Sequence, residues 1–117
     1  MPTANVTMDV RDAAAGVRVI DITGEITGLA DQEIAAAHEM AAAGEPRAVV
    51  LNFGGLDYMN SGGIGLIVTT LIRAQRAGHQ LLAYGLSDHY RQIFSLTRLD
   101  EAIGIFDDER SALASVR

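Results

Sequence analysis

The stretch Leu56-Asp57-Tyr58-Met59-Asn60-Ser61-Gly62-Gly63-Ile64-Gly65 joins two segments with different hydrophobic patterns. Before it, residues 48–53 form a short and mostly apolar run, which predicts a buried strand. After it, apolar residues recur at helical spacing, at Ile64, Ile67, Val68, Leu71 and Ile72. The stretch is therefore predicted to be a strand-to-helix turn, and the rest of the chain is organised around it.

Two polar residues begin the predicted helix. Asn60 is expected to cap it, because its side-chain oxygen can accept a hydrogen bond from the first free N–H groups. Ser61 then lies in the first turn, beside the positive end of the helix dipole. A phosphate on Ser61 would be well placed there, since helix amino termini favour anions. Ser61 is therefore the leading candidate for a functional residue.

Three glycines, Gly62, Gly63 and Gly65, follow Ser61 in the first turns of the helix. Each costs about 1 kcal/mol relative to alanine in a helix interior, so their presence needs a reason. One reason is close packing of the helix on a strand; the other is access for a partner's backbone to Ser61. The second is favoured, because Gly62, Gly65, Thr69, Arg73 and Arg76 share a helix face that lies off the apolar stripe and carries no bulk near Ser61.

The rest of the chain alternates between strand and helix patterns. Strands are predicted at residues 5–10, 17–22, 48–53, 80–84 and 103–106, and helices at 29–43, 61–76, 89–96 and from 107 to about 116. The first two strands are expected to form an antiparallel hairpin around a turn at 11–16, and Gly24 is expected to end the second. This order predicts a single α/β domain over residues 1–117, with helices packed on a partly parallel sheet.

Composition excludes several classes of function. The chain has no cysteine, so thiolate metal sites and disulfides are impossible. A net charge of −6 opposes nucleic-acid binding. No apolar run approaches the roughly 18 residues of a membrane span, and no signal-peptide pattern opens the sequence. We expect a cytoplasmic, soluble protein that binds neither nucleic acid nor membrane.

Catalysis is a weaker interpretation of Ser61. The nucleophile elbow of α/β-hydrolases reads Gly-x-Ser-x-Gly, whereas Met59 stands two residues before this serine. The glycines have neither the spacing nor the lysine of a phosphate-binding loop. His38, His79 and His89 are expected to be solvent-facing or structural, and no pair has metal-ligand spacing. We therefore expect no catalytic residue, no cofactor and no metal: the chain is predicted not to be an enzyme.

At the central turn the sequence resembles the STAS-domain anti-sigma-factor antagonists, whose signature is a strand ending in hydrophobic-Met-Asp-Ser-Ser/Thr-Gly-Leu-Gly. The residues that fit are Tyr58, Met59, Ser61, Gly63, Ile64 and Gly65. The resemblance extends from the corner Thr23-Gly24-Glu25-Ile26 to the late segment Tyr90-Arg91-Gln92-Ile93-Phe94. Three positions depart from the pattern: Asn60 and Thr27 replace aspartates, and Gly62 replaces a second hydroxyl residue.

The resemblance implies a STAS fold, with a mixed sheet of about five strands and about four helices. It implies partner switching as the function: the unphosphorylated form binds an anti-sigma factor that is also a Ser/Thr kinase, and so releases the sigma factor. Phosphorylation at Ser61 ends binding, and a PP2C-type phosphatase restores it. The partner-binding residues implied are Glu25, Ile26, Thr27, Asn60, Ser61, Gly62, Gly63, Gly65 and Thr69.

Two other functions remain compatible with the sequence. One is a STAS regulatory module in a partner-switching pathway whose output is not a sigma factor, such as secretion, a cyclase or a transport complex. The other is a small-molecule or lipid-transport accessory STAS domain, or a small hydrolase. A pull-down would separate the first from sigma-factor control, and a ligand-sized apolar cavity or ester turnover dependent on Ser61 would favour the second.

Overall fold

A computed structural model describes residues 4–117 of the chain. Its strands are β1 (Val6–Ala14), β2 (Val17–Ile26), β3 (Ala48–Met59), β4 (Gln80–Tyr84) and β5 (Gly104–Phe106). Its α-helices are α1 (Asp31–Ala42), α2 (Ser61–Ala77), α3 (Asp88–Leu96) and α4 (Glu109–Ala114). Short 3-10 helices lie at Gly28–Ala30 and Leu99–Glu101. The order of elements is the one that the sequence predicts.

The five strands form one mixed sheet in the order β1-β2-β3-β4-β5. β1 pairs antiparallel with β2, and the other three pairings are parallel. Buried side chains of α1, α2 and α3 form one core with the sheet, and α4 packs in a second, smaller core. The predicted α/β fold, a mixed sheet with four helices packed on it, is confirmed. Within residues 4–117, no helix is long and apolar enough to cross a membrane.

Three strands are longer than the sequence pattern predicts. β1 continues through the predicted turn as far as Ala14. Gly24 does not end β2, because its φ of +103° is accommodated at a register shift and pairing resumes at Glu25. β3 likewise continues past Phe53 and pairs with this extension, and its last residue Met59 lies opposite Ile26. The paired tips of β2 and β3 therefore project beyond β4, which ends opposite Asn52.

The inner face of α1 is apolar, whereas that of α2 follows the predicted pattern only in part. In α1, the side chains of Ile34, Ala37 and Ala41 are buried. In α2, Ile67 and Leu71 are buried, but Val68 and Ile72 are 37% and 42% exposed. The prediction that these two residues belong to the apolar inner stripe is wrong, because the inner face of α2 is centred on Gly63, Ile67, Thr70, Leu71 and Ala74.

A polar cluster lies beside the second, smaller core, against which Tyr84 packs. Asp21, Asn52 and Tyr84 are cross-strand neighbours on β2, β3 and β4. The Arg11 guanidinium bonds Asp21 at 2.7 Å and also Glu109 of α4, while the Tyr84 hydroxyl donates to Glu109 at 3.0 Å. Hydrogen bonds from Arg11 lower the pKa of both carboxyls, and burial together with Glu109 raises the pKa of Tyr84 to about 12. These contacts attach α4 to the sheet.

Two of the three histidines form a buried pair, while His89 is exposed. The Nε2 atoms of His38 in α1 and His79 before β4 lie 3.1 Å apart, so only one of them can carry the proton between them. Burial lowers the pKa of both side chains, and for His38 the neighbouring His79 and Arg73 lower it further. The pair is therefore structural, and it is stable only while the two rings are not both charged.

This pair should make stability depend on pH. Below the ordinary histidine pKa of 6.5, the unfolded chain binds protons that the folded pair resists. The free energy of unfolding should then fall by up to about 1.4 kcal/mol per pH unit for each such proton. We expect this slope between about pH 6.5 and about pH 5 in urea titrations, above the range where the carboxyls respond.

The control compares two sets of substitutions. Replacing His38 and His79 together by Gln should remove most of the slope, whereas His89→Gln should retain it because that ring is exposed. An unchanged slope in the double variant would contradict the assignment of the slope to the buried pair.

Candidate functional site

The site lies where the tips of β2 and β3 meet the start of α2. Asn60 has extended backbone angles and caps the helix: its Oδ1 accepts from the Gly63 N–H at 2.9 Å. Its carbonyl accepts the first helical bond from the Ile64 N–H, also at 2.9 Å. Ser61 is the first residue of α2 and is exposed. The predicted cap is confirmed, and it places the Ser61 side chain at the tip of the helix.

The start of α2 rests directly on the end of β2 at Gly63. A Cβ at this position would lie 2.1 Å from the Ile26 carbonyl oxygen and 2.8 Å from the Met59 Cγ. Both distances are far below van der Waals contact, so only glycine fits here without moving the helix. Close packing of helix on strand therefore explains Gly63, and this residue is buried rather than offered to a partner.

The other two glycines differ from Gly63 and from each other. Gly62 is exposed, but a Cβ there would lie 2.9 Å from the backbone nitrogen of Gly28. Gly65 is exposed, and a Cβ there would meet no other atom within 4 Å. Packing therefore accounts for Gly63 and constrains Gly62, while at Gly65 no neighbour among residues 4–117 explains the missing side chain.

Alanine substitutions at Gly63 and Gly65 should have opposite effects. Gly63→Ala forces α2 away from Ile26 and should destabilise the fold by about 1–3 kcal/mol or more, as overpacking does. Gly65→Ala meets no atom and should stabilise it by up to about 1 kcal/mol through helix propensity. Chemical denaturation of both variants measures the difference, and equal stabilities would contradict the close contact at Gly63.

The predicted residues on the β2 side are split between surface and core. Glu25 is half-buried, and its carboxylate lies 3.4 Å from the Asn5 side-chain nitrogen. The Thr27 hydroxyl accepts from the Leu29 N–H at 3.2 Å and so caps the 3-10 helix beside Gly62. Ile26 is fully buried. Because both residues are buried, the expectation that Ile26 and Gly63 contact a partner is corrected. They instead form the contact on which the first turn of α2 packs.

Exposed apolar side chains share the helix face of Ser61, and sequence reasoning did not assign them to the site. With about 100° per residue, Ser61, Gly65, Val68 and Ile72 lie within about 60° of each other around α2. Thr69 is exposed on the adjoining part of this face, with its hydroxyl bonded to the Gly65 carbonyl at 3.1 Å. The spacing alone could have placed Val68 and Ile72 on the same face of α2 as Ser61, two and three turns further along. Two further exposed apolar residues, Leu29 and Tyr58, belong to the segments that flank the helix start.

Within the two segments that meet at the start of α2, the charged side chains are of one sign. Segments 23–30 and 54–72 contain two carboxylates, Glu25 and Asp57, and no lysine, arginine or histidine. The exposed arginines of α2, Arg73 and Arg76, lie in its later turns. A phosphate on Ser61 would therefore find helix N–H groups but no cationic side chain within these segments.

The Ser61 hydroxyl makes no hydrogen bond to another residue of the part of the chain that the structure describes. His38 and His79 bond each other, so neither is available as its base. No group of three potential metal-ligating side chains occurs among residues 4–117. The site consists of an exposed hydroxyl at a capped helix start, with exposed apolar side chains and two carboxylates in the segments that form it.

This architecture, a mixed sheet with four helices packed on it and a capped helix start at the tip of two strands, defines a small α/β domain. Residues 7–112 match the STAS domain family model. This match spans nearly the whole chain, and the chain belongs to the STAS domain family.

Solved structures with this fold include several anti-sigma factor antagonists. One from Mycobacterium paratuberculosis is 25% identical, with 99% of each chain covered and a TM-score of 0.77. SpoIIAA in its unphosphorylated form is 22% identical, with 95% of this chain and 98% of that chain covered and a TM-score of 0.73; the phosphorylated form of Bacillus SpoIIAA gives 0.71. A sulfate transporter family protein from Wolinella succinogenes is 19% identical, with 91% and 88% covered and a TM-score of 0.77.

Proposed function

We propose that the protein is an anti-sigma-factor antagonist that acts by partner switching, with Ser61 as its phosphorylation site. The observation that carries the proposal is the exposed Ser61 hydroxyl at the capped start of α2, on a surface without a cationic side chain in segments 23–30 and 54–72. Membership of the STAS family and the similarity to anti-sigma factor antagonists support it. In this proposal the chain is a cytoplasmic binding module and not an enzyme.

The proposed partner is an anti-sigma factor that also has Ser/Thr kinase activity. Binding of the unphosphorylated chain to it releases the sigma factor, and the kinase then transfers a phosphate from ATP to Ser61. A PP2C-type phosphatase returns the chain to its binding form. The surface proposed for the partner comprises Glu25, Thr27, Asn60, Ser61, Gly62, Gly65 and Thr69, together with the exposed apolar residues Val68 and Ile72.

Phosphorylation would act through charge. A phosphate adds about −1.5 to −2 charges at pH 7, and the complex would have to remove this anion from water. Within the site segments only carboxylates, Glu25 and Asp57, accompany it, so the chain itself supplies no ion pair there. The N–H groups at the start of α2 can accommodate the phosphate in the free protein. The phosphorylated chain would therefore leave its partner without a change of fold.

Variants at Ser61 test the switch. Ser61→Ala should fold and bind the partner as the unmodified chain does, since exposed changes usually cost within about 0.5 kcal/mol. Genetically encoded phosphoserine at position 61 should weaken binding by roughly two to three decades, because an unpaired charge in a buried contact costs about 3 to 5 kcal/mol. Ser61→Glu should show a smaller effect in the same direction. Affinities are measured by calorimetry with each anti-sigma factor kinase of the source genome.

A matched control and a mapping experiment complete the test. Ser111→Glu adds the same charge at an exposed position in the first turn of α4, outside the proposed surface, and should leave affinity unchanged. After incubation with kinase and ATP, mass spectrometry should place the phosphate on Ser61. Phosphate on another residue, or equal affinity of the phosphoserine form, would overturn the proposal. Capture of a partner other than an anti-sigma factor would assign the switch to a different pathway.

A further inference from the structure

The end of β3 lacks a strand partner on its β4 side. β4 ends at Tyr84, opposite Asn52, whereas β3 runs on to Met59. At this last residue a side chain takes the place of the missing strand: the Met59 N–H donates to the Tyr90 hydroxyl of α3 at 2.8 Å. Both residues are buried, so this bond is shielded from water.

The next amide along the chain is held from the other side of β3. The Asn60 N–H donates to the Ile26 carbonyl of β2 at 3.3 Å. Two successive amides immediately before Ser61 are thus fixed by two different elements, α3 and β2. This fixes the direction in which β3 enters the helix cap, and the cap in turn sets the position of Ser61.

Tyr90 is itself well anchored. It lies in the first turn of α3, where its N–H faces the Ser87 cap at 3.5 Å, and its ring belongs to the main core. The exposed His89 ring contacts it at a centroid distance of 5.0 Å with an edge-on orientation. The hydroxyl is therefore presented to Met59 by a fixed ring and not by a mobile side chain.

We propose that Tyr90 is a positioning residue of the Ser61 site: its hydroxyl holds the Met59 amide and so couples helix α3 to the β3–α2 turn. The coupling itself is a property of the free domain. Its consequence for phosphorylation rests on the proposed function, under which a displaced turn presents Ser61 less well to the kinase.

Amide hydrogen exchange of the free protein, followed by NMR, tests the coupling. Tyr90→Phe keeps the ring and removes only the hydroxyl. Exchange at Asn60, Gly63 and Ile64, whose bonds form the turn and cap, should accelerate by about tenfold more than exchange at the core amides of Val50 and Leu51. The core amides serve as the reference for overall stability. If Tyr90 had only a structural role, its loss would accelerate exchange equally in the core and in the turn.

Tyr84→Phe is the matched control. It also removes a tyrosine hydroxyl, but one that donates to Glu109 and accepts from Arg11 in the polar cluster that holds α4. Tyr84→Phe should accelerate the exchange of Asn60, Gly63 and Ile64 no more than it accelerates the exchange of the core amides. With an anti-sigma factor kinase and ATP, Tyr90→Phe should lower kcat/KM for phosphate incorporation about three- to tenfold, because small displacements of a reacting group are costly, and Tyr84→Phe should not.

The outcomes separate the two proposals. Faster exchange of the turn without any phosphorylation of the wild-type chain would support the positioning role and contradict the proposed function. Equal acceleration of turn and core, or acceleration at Met59 alone, would overturn the positioning role even if Ser61 is phosphorylated. Unchanged exchange at all of these amides would overturn it as well.

Discussion

The structure depends on one close contact, between the backbone of Gly63 and the carbonyl of Ile26. A side chain of any size at position 63 would collide with that carbonyl, so glycine allows the first turn of α2 to rest on the tip of β2. Because this contact sets the height of the helix above the strand, it also sets where Asn60 caps the helix and where Ser61 emerges. The Ile26 carbonyl takes part a second time by accepting the Asn60 N–H. Strand end, cap and candidate phosphorylation site are therefore parts of one rigid unit.

Rigidity of this unit suits a switch that works through charge. A modification on a mobile loop can act by ordering or melting the loop, whereas Ser61 stands on a helix start that is already capped and packed. Its surroundings contain carboxylates and exposed apolar side chains, which a partner can cover while Ser61 is neutral. The proposed function therefore requires no second conformation of the domain. It requires only that the surface around Ser61 be desolvated in the complex, since that is where an added charge costs most.

Sequence reasoning located this unit correctly where the determinants are local. The Asn60 cap depends on spacing along a few residues, and the alternation of strand and helix patterns is sufficient for the fold. Sequence reasoning failed where the pairing of two distant segments decides where a strand ends. It placed the strand ends near Gly24 and Phe53, but β2 and β3 pair with each other beyond these residues. Val68 was misplaced for a similar reason, because the inner face of α2 is set by the Gly63 contact and not by hydrophobic residues alone. The bond between Tyr90 and Met59 joins side chain to backbone across the fold, and no pattern in the sequence indicates it.

The central claim is that phosphorylation changes the charge of a fixed surface and not the shape of the domain. Its most direct test compares the amide NMR spectra of the unmodified chain and of the chain with phosphoserine at position 61. The account predicts that chemical-shift changes are confined to the site segments, residues 23–30 and 54–72, while the amides of β1, β4 and α4 keep their shifts and their hydrogen-exchange rates. Changes that spread through these distant elements would show that the phosphate rearranges the domain, and would contradict the account.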